Sequence, residues 1–153
     1  MFVGVVIVGL LVAWLLGDLG GTEVAPDFTV ELLDGGSFTL SEHLAEDGRP
    51  LILNLWAHWC APCRAEMPAI SDYATAHPEI AVLGVAVEDV REKAAEFAEE
   101  VQVSYPLGFD EGEFRDLYPT IGLPGTYFIN PDGTVAGVIN GIVTEESLEI
   151  GFD

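Results

Sequence analysis

The run "LILNLWA", Leu51 to Ala57, is apolar at every position but one, and three residues after it comes Cys60 of a Cys-x-x-Cys pair. A continuous apolar stretch of this length, bounded by Pro50, is the pattern of a central strand buried on both faces. Such a strand needs helices above and below it, which restricts the chain to layered α/β architectures. The pair Cys60 and Cys63 then falls at the junction between this strand and a helical pattern running from Cys60 to about Ala76, with Pro68 inside it as an expected kink.

Around that strand the other elements follow in order. "DFTVELLDGGSFTL" reads as two short strands joined through Asp34-Gly35-Gly36, and "SEHLAEDG" as a short helix capped by Ser41. "IAVLGVAV" is a second buried strand. "DVREKAAEFAEEV" is an amphipathic helix with Ala94, Phe97, Ala98 and Val101 at helical spacing. "SYPLGFD" is a short extended piece and "EGEFRDLY" a short helix. "GTYFINPDGTVAGVIN" is a hairpin through Pro-Asp-Gly, and "TEESLEI" opens a last helix. Strands alternating with helices predict a three-layer α/β domain with a mixed sheet over residues 26–153.

Ahead of it, "MFVGVVIVGLLVAWLL" carries no charge before Asp18. As a helix it would extend about 24 Å, near the roughly 30 Å hydrocarbon core once flanking glycines are added. With no basic leader and no Ala-x-Ala-like site, residues 1–17 are expected to be an uncleaved membrane anchor, and 18–25 a linker. Twenty-six acids face five bases, a formal net charge of −21. That excludes nucleic acid as a partner, because no basic stripe exists to neutralise phosphates. The acids are dispersed along the soluble part, a pattern suited to a high-salt milieu where screening removes self-repulsion.

Two cysteines can be a staple, a metal clip or a reagent. A bridge closing so small a loop removes little entropy from the unfolded chain, so the staple is weak. His58-x-Cys60-x-x-Cys63 offers metal ligands, yet a zinc site wants four and no second cluster converges on it. A thiol at a helix start meets unpaired N–H groups and a partial positive charge, which favour the thiolate. Cys63 lies one turn on, placed to resolve a mixed disulfide formed at Cys60, and Pro62 sits in the first turn, where its missing N–H costs little. This spacing predicts an exposed attacking thiol and a protected resolving thiol.

"NLWAHWCAPCRAEMP" resembles the active-site segment of thioredoxin-fold proteins, and more narrowly that of the membrane-anchored TlpA/ResA-like thiol-disulfide oxidoreductases. The opening "APDFTVELLDGGSFTLSEHL", the inserted "VAVEDVREKAAEFAEEVQVSYPLGFD" and "YPTIGLPGTYFINPDGTV" carry the narrower match, as does Asn54, where cytoplasmic thioredoxins have Asp. The resemblance implies Cys60 as nucleophile, Cys63 as resolving thiol and Glu66 as proton acceptor for Cys63. It further implies Pro124 as a cis-proline facing the pair, Leu123 as a backbone partner for bound peptide, Trp59 on the rim and Trp56 flanking the site. His58 is expected on the same rim. Gly125-Thr126 stand where the family has Thr-Thr or Thr-Ser, and a glycine there is expected to loosen the loop. The implied activity is reduction of protein disulfides outside the cytoplasm, with apocytochrome c among the substrates and a CcdA/DsbD-type membrane electron donor. The two cysteines would then serve as the redox centre with no separate cofactor. Two rivals use the same residues: a peroxiredoxin-like peroxidase, which shares "APDF" but lacks its Thr-x-x-Cys motif, and a Cu(I)-delivery protein using His58, Cys60 and Cys63.

Overall fold

The computed structural model describes residues 23–152. Seven strands form one mixed sheet in the order β2-β1-β5-β4-β3-β6-β7. They are β1 (Thr29–Leu32), β2 (Ser37–Thr39), β3 (Leu51–Trp56), β4 (Ala81–Ala86), β5 (Leu107–Phe109), β6 (Gly125–Ile129) and β7 (Val135–Asn140). β3, β4 and β5 run parallel, β6 returns antiparallel to β3, and β1 is antiparallel to β5. The expected three-layer domain is therefore the observed one.

Alternation along β3 divides the interior in two. All six of its residues are fully buried. Leu51, Leu53 and Leu55 enter a cluster with Leu83, Val85 and Ile129 on one face of the sheet, covered by Leu40 of α1 (Leu40–Glu46) and Phe114 of α4 (Phe114–Leu117). Ile52 and Trp56 point the other way, to Met67 and Ile70 of α2 (Ala61–Ala76), Phe97 of α3 (Arg91–Val101) and Leu148 of α5 (Glu145–Glu149). Each such apolar side chain contributes roughly 1.5–3 kcal/mol on leaving water. Asn54 shares the second face, so its amide is carried into that interior by strand periodicity alone.

Local details refine the sequence reading. α1 starts at Leu40 with Thr39 as its N-cap, and Ser41 is not the cap. Asp27 captures Ser41 instead, accepting from its N–H (2.8 Å) and from its hydroxyl (2.8 Å). The Asp34-Gly35-Gly36 turn forms as expected, both glycines having positive φ. α2 runs through Pro68, which lies on its exposed side. α5 opens with a capping box between Thr144 and Ser147. At the start of the described chain, Val24 bridges Thr134, and the N–H of Val135 donates to Glu23 O (2.7 Å). Among the described residues no helix is long and apolar enough to cross a membrane. The apolar run expected to do so, residues 1–17, lies outside them.

Candidate active site

Cys60 is the N-cap of α2, with extended backbone angles (φ −92°, ψ 99°). It follows the C-terminal end of β3 through a turn in which its N–H donates to Ala57 O (3.1 Å). Its sulfur accepts the Cys63 N–H (3.2 Å), meeting one of the unpaired donors of the first turn. Cys60 and Cys63 are joined by a disulfide. Pro62 is the second helical residue, where no intrahelical N–H partner is lost. In this state Cys60 is 4% exposed and Cys63 fully buried. The expected exposure of the attacking sulfur is not seen in the disulfide form, in which Sγ is bonded to the buried Cys63 and accepts its N–H.

On the inner side of α2 the side chains form a polar group inside an apolar wall. Glu66, one turn past Cys63 and 2% exposed, accepts from Asn54 Nδ2 (2.8 Å) and from the Val143 N–H (2.9 Å). Asn54 Nδ2 also donates to Thr126 Oγ1 (3.1 Å). Burial pushes the Glu66 carboxyl up to about 6, against the opposing pull of the two N–H donors. Burial also drives the Tyr105 hydroxyl well above its ordinary range, with the Glu66 carboxylate adding to the effect. Thr126 and Val143 carry no sequence signal for this role, as they lie 72 and 77 residues from the side chains they meet.

The outer side is built by loops. Leu123–Pro124 is a cis peptide, and Pro124 is buried while Leu123 is half-buried. Among the described residues neither the N–H nor the C=O of Leu123 makes a backbone hydrogen bond. Gly125 does not loosen this segment. Thr120 folds over it so closely that a Cβ there would stand 2.3 Å from Thr120 Cγ2, so the glycine is what lets the loop pack. Arg115 fastens the same loop, donating to Thr120 Oγ1 (2.7 Å) and to Gly122 O (3.2 Å). Trp59 is 55% exposed and Ile121 87% exposed. Trp59 Nε1 donates to Glu88 O (3.1 Å), and His58 is held by Asp89. Trp56 is fully buried in the same core cluster as Cys60 and Cys63 and stacks on Phe97 at 5.1 Å. Among the described residues no group of three or more His, Cys, Asp or Glu side chains is placed to hold a metal ion.

A cysteine pair at the end of a central parallel strand, capping a helix and backed by a buried carboxyl, defines a thioredoxin-like thiol-disulfide oxidoreductase. Comparison with known proteins narrows this class. The chain belongs to the AhpC/TSA family, whose model matches residues 22–138, and within it to the ResA/TlpA-like thiol-disulfide oxidoreductases. The thiol-disulfide oxidoreductase ResA of Oceanobacillus iheyensis is 33% identical over 134 residues, covering 83% of this chain and 68% of its own. A Chlorobium tepidum structure described as the thiol:disulfide interchange protein DsbE superposes with a TM-score of 0.76 at 26% identity, covering 84% of this chain and 92% of that one. A secreted Mycobacterium tuberculosis disulfide oxidoreductase, homologous to DsbE of E. coli, gives 0.68 at 25% identity over 79% and 90%.

Proposed function

We propose that this chain is a reductant of protein disulfides, tethered to the cytoplasmic membrane with its catalytic domain on the outer side. In this reading residues 1–17 are the tether, 18–25 the linker and 26–153 the working domain. The Cys60 thiolate attacks a substrate disulfide, so a Cys60–substrate bond forms and one substrate thiol departs. Cys63 then loses its proton to Glu66, attacks Cys60 and releases the second substrate thiol. Two electrons pass to the substrate, leaving the Cys60–Cys63 disulfide to be reduced again by a membrane dithiol carrier of the CcdA/DsbD type.

The observation that carries the reading is Glu66. Its carboxyl is buried on the helix face it shares with Cys63 and is raised to about 6, so it can take up a proton near neutral pH. The half-buried Leu123 backbone and the exposed Trp59 supply an edge and an apolar rim for an extended substrate segment. The named relatives support the exchange chemistry and, through the secreted example, the outer location. An apocytochrome c with an oxidised haem-attachment pair is one substrate of the right form.

Cys63→Ser tests this directly. It strands the mixed disulfide at Cys60, and the partners captured should be exported proteins carrying reducible disulfides. Equilibration of the wild type against glutathione should give a reducing potential; a value near −120 mV would sink the reductant assignment. Peroxide consumption by Cys63→Ser would instead favour a peroxidase, and Cu(I) binding lost in His58→Ala a metal carrier.

A further inference from the structure

His58 and Trp59 are the two corner residues of the turn that Cys60 closes, and both are tied to the loop between β4 and α3. The tie at His58 is the more elaborate. The Asp89 side chain is fully buried and accepts the His58 backbone N–H (2.7 Å), the Val90 N–H (2.7 Å) and His58 Nδ1 through a short hydrogen bond. A carboxylate offers no proton of its own, so the shared proton belongs to Nδ1, while Nε2 makes no hydrogen bond among the described residues. The ring is about one-third exposed, 34%, and its Nδ1 edge is spent on a buried partner. The edge that meets solvent is therefore Nε2, on a ring two positions ahead of Cys60 in the turn that Cys60 closes.

The loop holding Asp89 is shaped at some cost. Glu88 has φ of 50°, a left-handed angle that non-glycine residues seldom adopt. The charged groups of this loop are Asp89, which holds the ring, and Glu88, with Arg115 of α4 set against Glu88 at 3.8 Å. Glu66 lies on the buried side of α2 and is engaged by Asn54 and Val143. It serves Cys63 and is not placed to serve the solvent side of Cys60.

We propose that His58 and Asp89 form a proton relay on the solvent side of Cys60: Nε2 takes the Cys60 thiol proton and returns it to the departing substrate sulfur, and Asp89 acts as a positioning residue. The step rests on the exchange reaction proposed above and starts from the protein reduced by an external dithiol. The Cys60 proton moves to Nε2, and the thiolate attacks the nearer sulfur of the substrate. The Cys60–substrate bond forms, the substrate S–S bond breaks, and its electron pair goes to the departing sulfur, which recovers the proton from Nε2. In the second half Cys63 gives its proton to Glu66 and displaces the remaining substrate sulfur, which is protonated from solvent.

The test is single-turnover reduction of oxidised glutathione by the dithiol protein from pH 5 to 9 at fixed high ionic strength. His58→Asn keeps an N–H where Nδ1 stands, preserving the bond to Asp89, but deletes Nε2. Its rate constant should fall about tenfold or more near pH 7 and recover toward pH 9, where Cys60 ionises unaided. The fall should be smaller with an aromatic disulfide whose departing thiol needs no proton, and added imidazole should restore part of the rate. Asp89→Asn reverses the ring tautomer and should show the same pattern, which covers the case of a poorly folded His58→Asn. Rates within twofold of wild type across the range would overturn the relay. So would a loss equal for both disulfides with no recovery by imidazole, the mark of a latch that only holds the turn. A wild type inert toward both disulfides would remove the exchange reading itself, and the relay with it.

Discussion

Glu66 and Asp89 are both carboxylates whose side chains have almost no exposed surface, one on the buried face of α2 and the other in the loop that holds His58. Asp89 accepts three N–H bonds, one of them from an imidazole ring able to carry a compensating charge. Glu66 accepts two, both from neutral donors, and burial dominates, lifting it to about 6. The difference lies in partners more than in depth. A buried acid given a chargeable partner becomes a fixture that orients it, whereas one given only amides becomes a group that can change its charge.

The sharpest way to break the contrast is to spoil the amide partner. Asn54→Asp puts a second acid 2.8 Å from Glu66, where no cation pairs with either among the described residues. At neutral pH this should destabilise the oxidised protein by about 3 kcal/mol, since two buried carboxylates cannot both ionise there. Denaturant midpoints should recover steeply as the pH is lowered. A loss below about 1 kcal/mol would mean the inner site is far wetter than its burial indicates.

Glu66→Gln removes the inner titration and nothing else of similar size. In the wild type the carboxyl ionises at about 6 when folded and at an ordinary 4.5 when unfolded. The folded state thus holds the extra proton between those values, and this contribution to stability, complete below 4.5, is lost as pH rises through 6. The loss amounts to roughly 2 kcal/mol. The glutamine variant should lack that fall in unfolding titrations from pH 4 to 7. An unchanged pH profile would show that Glu66 is ionised at its ordinary value. The smallest effect is expected outside: Trp59→Ala should alter stability by under about 0.5 kcal/mol, because the ring is mostly exposed, while raising KM for a disulfide-bearing peptide.

The sheet and helices were readable from sequence because their signals are local. The unbroken apolar run of β3, the alternation of the hairpins and the spacing of Ala94 and Phe97 each lie within one element. Cys60 and Cys63 could be named singly on the same basis, and Asn54 and Glu66 through the family resemblance of their segment. That Asn54 and Glu66 are bonded could not be, nor that Thr126 and the Val143 N–H complete their group, for these contacts join four segments far apart in the chain. Asp89 was invisible for the same reason, 31 residues from His58. Where local reasoning erred, a distant neighbour had intervened: Asp27 drew Ser41 away from capping, and Thr120 made Gly125 a packing residue rather than a loose joint.

The bridge between Val24 and Thr134 sets the direction in which the domain faces. Thr134 belongs to the turn that joins β6 to β7, and β6 pairs Ile129 with Leu51, the first residue of β3. The disulfide follows the other end of that strand, about 17 Å away along its length. Chain entering at Glu23 is thus stitched to one pole of the sheet and the reactive sulfurs to the opposite pole. Anything that holds the domain by its N-terminal end holds it by the heel, leaving the toe to sweep the space beyond. Under the proposed membrane tether, the domain would have to turn over to show the same disulfide to a donor embedded at the point of attachment.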